Sequence, residues 1–394
     1  MALKFNSNPV RGTFDVLPED MELRNWVQDT IKRIYRQRGY LQMETPCIEN
    51  LELLNHSEGG ENLRLLFKIL KRGDKLTFEE LSENALCDLG LRFDLTLPLS
   101  RFYANNRNEL PTPFKAFQMG YVWRAERPQK GRFRQFTQCD IDIIGEKSIY
   151  AEIDLLLTIP KALHELGFKN FTIKINDRRL LKDIVVKAGF EEEDFDTICI
   201  TLDKMDKVGK EGVTQELLEK AYEEVKIHKL LELLNTHIGD FDNEHARELQ
   251  KAVDIVSAYY PIAFEPTLVR GMGYYTGPIF EIVSEDFKGS IAGGGRYDNL
   301  LSKFQKDSIP AVGFSIGFER IITILKERNF KIPTNEKKVA LMFTEEQQLK
   351  EVIDLTEKLT AEGNVVTTFF VNRNKLGKKI SQLEEQGYEV QVIK

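Results

Sequence analysis

The densest group of side chains suited to chemistry lies between residues 117 and 145, where a basic loop joins two strand-like segments. Residues 121–135 contain a single acid, Glu126, and five cations: Arg124, Arg127, Lys130, Arg132 and Arg134. Cations anchored at the base of a hairpin can neutralise a polyphosphate, and cations at its mobile tip can contact a nucleic-acid backbone. Most charge runs are solvated surfaces. The concentration of positive charge in a chain of net charge -7 nevertheless favours a binding loop.

Polar side chains alternate with apolar ones along two further segments. After the basic loop, the polar positions of residues 138–143 are Gln138, Asp140 and Asp142. This period of two predicts a strand with one polar face. Upstream, residues 91–96 (LRFDLT) predict another strand, on which Asp94 and Thr96 would share one face because they are two residues apart.

Three glycine-containing stretches downstream also contain candidate binding residues. In LVRGMGYYTGPIFE, Arg270 precedes glycines that would admit a ligand against the backbone and two tyrosines that would form a flat wall. The glycines of IAGGGRYDNL are no P-loop, and they fit either a tight turn or a ligand lying on the backbone. In VGFSIGFERI, Arg320 falls in the first turn of a predicted helix, where a cation is unfavourable unless an anion lies nearby.

Composition limits the classes of protein to be considered. The chain has 394 residues, of which 42% are hydrophobic, as expected for a globular protein of two or three domains. Its acidic balance argues against binding nucleic acid over the whole surface, although a local basic groove is compatible with it. The four cysteines and five histidines show no metal-ligand spacing, so no metal site is predicted. The N-terminus lacks an apolar signal region and no stretch has membrane-spanning length, which predicts a cytoplasmic protein.

The order of predicted elements divides the chain into four parts. Residues 1–176 mix helices and strands, whereas residues 177–258 are almost wholly helical in pattern and predict an inserted subdomain. Strand patterns return within residues 259–328, at Thr267 to Val269 and Ile279 to Val283. After a polar linker, residues 338–394 alternate three strands with two helices, which predicts a small parallel α/β domain.

Together these motifs resemble class II aminoacyl-tRNA synthetases, and specifically the histidyl-tRNA synthetase family. RAERPQKGRFRQF is similar to the motif 2 loop of that family, and GFSIGFERI is similar to motif 3. RGMGYYTG and AGGGRYD resemble its two histidine-specific motifs, and GYLQMETP resembles motif 1, the dimer-interface element. The resemblance covers nearly the whole chain in the order found in the family.

The resemblance implies a fold, substrates and a reaction. The fold would be α+β: an antiparallel sheet flanked by helices, a helical insertion and a small C-terminal α/β anticodon-binding domain. The protein would be a homodimer that uses ATP with Mg²⁺. The carboxylate of L-histidine would attack the α-phosphorus of ATP, giving histidyl-adenylate and pyrophosphate. The terminal ribose of tRNA(His) would then accept the histidyl group.

The resemblance also assigns roles to individual residues. Arg124 and Arg270 would be catalytic and would hold the α-phosphate from opposite sides. The ATP site would consist of Arg124, Glu126, Arg132, Phe136 stacked on adenine and Arg320 at the γ-phosphate. The histidine pocket would consist of Asp94, Thr96, Arg124, Gln138, Asp142, Arg270, Tyr274, Tyr275 and Tyr297. The tRNA acceptor end would meet Arg127, Gln129 and Lys130.

Two departures from the family pattern leave an alternative open. Gly273 stands where the first histidine motif often has an acid, which would remove one pocket contact. Only 57 residues follow Lys337, where family members usually continue through another strand and helix, so a shortened anticodon domain is expected. A synthetase paralogue that senses histidine as the regulatory subunit of ATP phosphoribosyltransferase also lacks a complete anticodon domain. The intact RPQKGR loop and the presence of Arg124, Arg270 and Arg320 favour the synthetase.

Overall fold

The chain forms two compact units, Met1–Phe330 and Lys331–Lys394, each of which is described by itself. The computed structural model describes residues 6–55, 64–78, 80–269, 274–304, 308–333 and 336–393. Among these residues, no helix is long and apolar enough to cross a membrane.

Eleven strands in the described part of the larger unit form two sheets. In chain order they are β1 Leu41–Gln42, β2 Ile48–Asn50, β3 Lys68–Leu70, β4 Cys87–Leu91, β5 Phe114–Trp123, β6 Gln135–Ile144, β7 Phe171–Asp177, β8 Ile262–Phe264, β9 Pro278–Ser284, β10 Phe287–Arg296 and β11 Ala311–Ile316. The main sheet has the order β1-β5-β6-β11-β10-β9-β7-β8, and a small sheet has the order β2-β4-β3. The main sheet is antiparallel except for its outermost pairs, β1 with β5 and β7 with β8. The predicted α+β class is therefore confirmed.

The helices of this unit pack on the two sheets or on one another. They are Pro18–Gln37, Leu51–Asn55, Glu83–Leu86, Thr96–Asn106, Tyr150–Glu165, Arg178–Ala188, Phe195–Leu202, Met205–Glu219, Glu224–Leu233, Glu244–Ser257 and Phe318–Glu327. The first packs through an apolar face: Leu23, Val27, Ile31 and Ile34 recur at helical spacing and are buried. The five helices between Arg178 and Ser257 occupy the segment between β7 and β8, as predicted for a helical insertion.

The smaller unit is a three-stranded parallel sheet with two helices. Its strands are β12 Lys338–Phe343, β13 Val365–Phe370 and β14 Glu389–Val392, in the order β13-β12-β14. The helices are Leu349–Ala361 and Leu376–Glu385, and Ala340, Met342 and Leu383 form a small buried core. The prediction of a parallel α/β domain from the alternating pattern is confirmed.

Two strand predictions are wrong. Strand β4 ends at Leu91, and Thr96 begins a helix, so Asp94 and Thr96 do not share a strand face. The Asp94 carboxylate accepts a hydrogen bond from the Leu97 amide at 3.1 Å. Such a local bond from a backbone amide to an aspartate favours the start of a helix over a strand. The predicted strand at residues 267–269 is a turn region in which the Leu268 amide bonds to the Glu265 carbonyl.

Candidate active site

Two adjoining cavities open over the middle of the main sheet, where β6, β10 and β11 run side by side. The larger has a volume of about 210 Å³ and the smaller about 110 Å³. Their walls share four residues: Arg124, Gln138, Gly293 and Ser315. A molecule in one cavity would therefore touch a molecule in the other next to the Arg124 guanidinium.

The larger cavity brings together every residue predicted for ATP: Arg124, Glu126, Arg132, Phe136 and Arg320. Arg124 leaves β5 at its end, and its Nε donates to the Phe93 carbonyl at 2.9 Å. Its guanidinium lies 5.2 Å from the centroid of the Phe136 ring. The Arg320 guanidinium donates to the carbonyl and hydroxyl oxygens of Ser290 on β10. Both cations are thus held by backbone acceptors, which fixes their direction before any ligand binds.

A buried ion pair supports the floor of this cavity. Arg24, on the first helix, donates through both terminal nitrogens to the Glu319 carboxylate at 2.7 Å. The same carboxylate accepts the Thr137 amide of β6 at 3.2 Å. Thr137 and Glu319 line the cavity, and Arg320 follows Glu319 in the chain. This network ties three distant segments together directly beneath the cationic site.

The smaller cavity brings together the described residues predicted for histidine: Asp94, Thr96, Arg124, Gln138, Asp142, Tyr274, Tyr275 and Tyr297. It also contains Asp140, which was not predicted as a site residue. The alternation of the sequence could have predicted Asp140 as a site residue, because it lies between Gln138 and Asp142 on the polar face of β6.

Hydrogen bonds orient the acceptors of this cavity. The Tyr297 hydroxyl donates to Asp142 Oδ1 at 2.6 Å, and Asp142 Oδ2 is buried with no partner among the described residues. The Gln138 Nε2 group donates to both Asp140 oxygens at 3.2 and 3.3 Å. Gln138 Oε1 is likewise buried with no partner among the described residues. Because a buried acceptor without a donor is costly, these two oxygens mark positions for ligand N–H groups.

Burial dominates the electrostatics of the smaller cavity. Loss of water raises the pKa of Asp94 and raises the pKa of Asp142 well above its usual range. It also raises the pKa of Asp140 to about 7, against the opposing hydrogen bond from Ser315. Three carboxyl groups in one dry pocket repel one another when ionised. A ligand that carries positive charge and N–H donors would relieve that repulsion, so the pocket favours such a ligand over a neutral one.

The glycine run of AGGGRYD lies within a strand and not in a turn. Gly293, Gly294 and Gly295 belong to β10 and pair with both neighbouring strands. A Cβ atom on Gly294 would collide with the Gly313 carbonyl, and one on Gly313 would collide with the Asp142 carboxylate. The small residues therefore let β10, β11 and the acids of β6 approach closely at the cavity wall.

The remaining predicted residues have different positions. Arg270 and Gly273 lie outside the described residues. Arg127, Gln129 and Lys130 are exposed on the basic loop, as a surface for a macromolecule requires. Reciprocal backbone hydrogen bonds between Gln129 and Arg132, at 2.8 and 3.1 Å, close the loop tip. The Lys130 ammonium lies 2.6 Å from the Glu327 carboxylate.

We expect Asp140→Asn to flatten the pH dependence of stability in the ligand-free protein. Because burial raises the pKa of Asp140 to about 7, the folded state holds a proton that the unfolded state releases near pH 4. That carboxyl therefore stabilises the fold at acid pH, and its contribution is lost as the pH rises through 7. Thermal unfolding at pH 5 to 8 should show a smaller fall in Tm for the variant. The surface variant Asp254→Asn is the control. If the Tm of Asp140→Asn fell between pH 5 and 8 as much as the Tm of wild type does, the result would contradict this expectation.

Comparison with known proteins decides the family. A sequence profile described as histidyl-tRNA synthetase matches residues 12–321, which include every described residue of both cavities. The chain belongs to the histidyl-tRNA synthetase family. The histidine–tRNA ligase of Leifsonia xyli subsp. xyli is 38% identical over 384 residues, covering 91% of this chain and 88% of that protein.

Solved structures agree with the assignment to the histidyl-tRNA synthetase family. The crystal structure of histidyl-tRNA synthetase from Nostoc sp. PCC 7120 superposes with a TM-score of 0.79 at 26% identity, covering 98% of this chain and 90% of that one. A Bacillus halodurans protein, titled an ATP phosphoribosyltransferase regulatory subunit/histidyl-tRNA synthetase, superposes with a TM-score of 0.78, covering 99% and 98% of the two chains. Its identity is 22%, so that likeness concerns the fold alone.

Proposed function

We propose that this chain is a histidine–tRNA ligase, which activates L-histidine with ATP and transfers it to the 3′ end of tRNA(His). One observation carries the proposal: a cationic cavity adjoins an acid-lined pocket, and the two meet at Arg124. Condensing an amino acid with a nucleotide needs this juxtaposition. Membership of the family supports the same conclusion.

The first step follows from the shared wall. Histidine in the smaller cavity would direct its carboxylate towards Arg124, and ATP in the larger cavity would place its α-phosphate at the same guanidinium. The carboxylate oxygen attacks the α-phosphorus, and pyrophosphate leaves on the opposite side. Arg124 supplies fixed positive charge where negative charge accumulates, while the two cavities supply alignment. We propose Arg270 as the second cation at the α-phosphate, on the strength of its motif.

Selection of histidine would rest on the carboxylate and amide acceptors of the smaller cavity. Asp94 and Gln138 Oε1 would accept hydrogen bonds from the substrate ammonium group. Asp142 Oδ2 would accept the imidazole N–H, and the bond from Tyr297 to the other oxygen fixes that carboxylate in place. Thr96, Tyr274 and Tyr275 complete the walls, and both tyrosines are buried. Amino acids without a side-chain donor would leave Asp142 Oδ2 buried without a hydrogen bond, which costs binding energy.

The larger cavity would bind ATP with adenine stacked on Phe136 and the γ-phosphate near Arg320. Glu126 and Arg132, whose carboxylate and guanidinium atoms lie 3.4 Å apart, would complete the nucleotide contacts.

Mg²⁺ would enter with ATP and neutralise its phosphates. Among the described residues no three metal-ligating side chains are grouped. Glu319 is buried in a two-point ion pair with Arg24, whereas the Glu126 side chain is 25% exposed and meets Arg132 only at 3.4 Å. Glu126 is therefore the acid of the cavity wall that better fits an ion held mainly by phosphates.

The parts of the chain would divide the work. Residues 1–176 and 259–328, which contain all the cavity-lining residues, would form the catalytic domain. Residues 177–258 would be the helical insertion, and residues 338–394 would bind the anticodon. Arg127, Gln129 and Lys130 would meet the acceptor end of the tRNA. The cytoplasmic location stays a prediction.

We also propose a homodimer formed through the motif 1 region. Leu41 on β1 and Ile48 on β2 are apolar side chains exposed in the single chain, as expected of a surface that a second copy covers. Sedimentation equilibrium would test this, and a monomer at micromolar concentration would count against it.

Histidine-dependent exchange of pyrophosphate into ATP tests the proposed function without tRNA. We expect exchange with L-histidine and background rates with the other nineteen amino acids, because both cavities needed for activation belong to one chain. Addition of tRNA(His) should then yield charged tRNA. Histidine binding without exchange would refute the ligase and favour a histidine-sensing regulatory subunit. The basic loop and the two held arginines, Arg124 and Arg320, speak against that alternative, since a sensor needs no such cationic nucleotide site.

A further inference from the structure

The segment that precedes the first helix is seated on the basic loop. The Arg134 amide, at the end of that loop, donates to the Gly12 carbonyl at 2.8 Å. The rings of Phe14 and Phe133 lie 4.7 Å apart between centroids. Residues 9–14, hereafter the arm, therefore extend the loop by a backbone contact and an aromatic contact.

The backbone of the arm has the conformation that this contact with the loop requires. Gly12 has a φ of 89°, and a Cβ atom there would lie 2.8 Å from side-chain carbons of Arg134 and Pro128. The Thr13 amide and hydroxyl both donate to the Val10 carbonyl, at 2.9 and 2.7 Å, which closes a turn around Gly12. A residue other than glycine would be strained and would collide with the loop.

Arg11 precedes Gly12 and Arg127 precedes Pro128, so the two arginines belong to the backbone segments that meet where Gly12 approaches the Pro128 ring. Both arginines are exposed, and within the described residues neither has a carboxylate partner. The neighbouring cations are engaged: Arg132 pairs with Glu126, and Lys130 pairs with Glu327. Two exposed arginines without a carboxylate partner among the described residues thus flank the contact between the arm and the loop.

The end of the loop that contacts the arm also reaches the nucleotide cavity. Gly131, Arg132 and Phe133 line the larger cavity, and Phe133 also contacts the arm. A polynucleotide bound along Arg11 and Arg127 would therefore end close to the site of adenylate formation. Guanidinium groups that lack protein partners suit phosphodiester oxygens, which they bind through paired donors.

We propose that the arm is part of the surface that receives the acceptor end of the tRNA, with Arg11 as a phosphate contact beside Arg127. This inference rests on the proposed function and adds a segment to the contacts proposed for the loop itself. Gly12 and Phe14 act as positioning residues, because they hold the arm against the loop.

The test compares three substitutions in the full chain. Arg11→Gln removes the guanidinium, Arg11→Lys keeps the charge, and Arg33→Gln removes a half-exposed arginine that pairs with Glu165 on the outer helices. Each variant is assayed for histidine-dependent pyrophosphate exchange and, separately, for charging of tRNA(His) over a range of salt concentrations.

For Arg11→Gln we expect kcat/KM for tRNA to fall about tenfold, the value of one charge-assisted contact, while exchange stays within about twofold of wild type. The salt dependence of charging should become shallower by roughly one counterion. Arg11→Lys should retain most of the charging efficiency, and Arg33→Gln should match wild type in both assays.

Charging by Arg11→Gln at the wild-type rate and with the wild-type salt dependence would overturn the proposal. Equal losses in exchange and charging would also overturn it, because they would show that Arg11 only supports the nucleotide site. These results differ from failure of the proposed function, in which the wild-type chain itself shows no exchange with histidine.

Discussion

Arg124→Gln is expected to lower the rate of histidine-dependent pyrophosphate exchange by about 100- to 1000-fold, the usual loss when one preorganised stabilising group is removed. Arg124 lines both cavities, and the Phe93 carbonyl and the Phe136 ring hold its guanidinium in place. Glutamine can replace a hydrogen bond there but supplies no charge to the attacked phosphate. Exchange kinetics at saturating ATP and histidine measure the loss directly, because the effect belongs in kcat.

Arg124→Lys is the matched control for this prediction. Lysine keeps the charge but lacks the planar fork that directs one donor to the Phe93 carbonyl and the others to ligand oxygens. Its exchange rate should fall between those of Arg124→Gln and wild type. Both variants should unfold at a temperature close to that of wild type, since Arg124 is only partly buried. If Arg124→Gln kept near-wild-type kcat, the junction of the two cavities would not be the reaction centre.

The sequence predicted those parts of the site that depend on local pattern. The hairpin of β5 and β6 follows from alternation and from the basic loop between its strands, and the residues of one face of β6 line the two adjoining cavities. The nucleotide set and the histidine set came from motif resemblance, and the described members of each set do lie together. Asp140 was missed although the same alternation placed it between two predicted residues.

Other parts depend on contacts that no local pattern encodes. Asp94 and Thr96 reach the predicted cavity from a loop and a helix start, and only tertiary packing brings those two positions over β6. The glycines of β10 suit a turn and a close-packed strand equally well, and the approach of Gly313 decides between them. Arg24 and Glu319 are 295 positions apart in the sequence, and each lies on an amphipathic helix. The pattern of either helix alone does not indicate that the two residues form an ion pair.

Replacing Arg24 with methionine is expected to lower the free energy of unfolding by about 3 to 5 kcal/mol, because it leaves the Glu319 carboxylate buried without its cation. Arg24 and Glu319 are 3% and 6% exposed, so solvent cannot replace the lost partner. Urea denaturation monitored by circular dichroism measures the change. Methionine fills much of the volume of the arginine stem, which separates loss of charge from creation of a cavity.

The double variant Arg24→Met with Glu319→Gln separates an unpaired charge from a general packing defect. Glutamine removes the buried charge and still offers an oxygen to the Thr137 amide, which bonds to Glu319 in wild type. The double variant should therefore be more stable than Arg24→Met alone. If it were equally unstable or less stable, packing and not charge would explain the loss.

Since Glu319 precedes Arg320 and lines the larger cavity, the order of stability among these variants should also be their order of affinity for ATP. Such a correlation would connect a contact on the first helix to nucleotide binding through the single carboxylate that joins them.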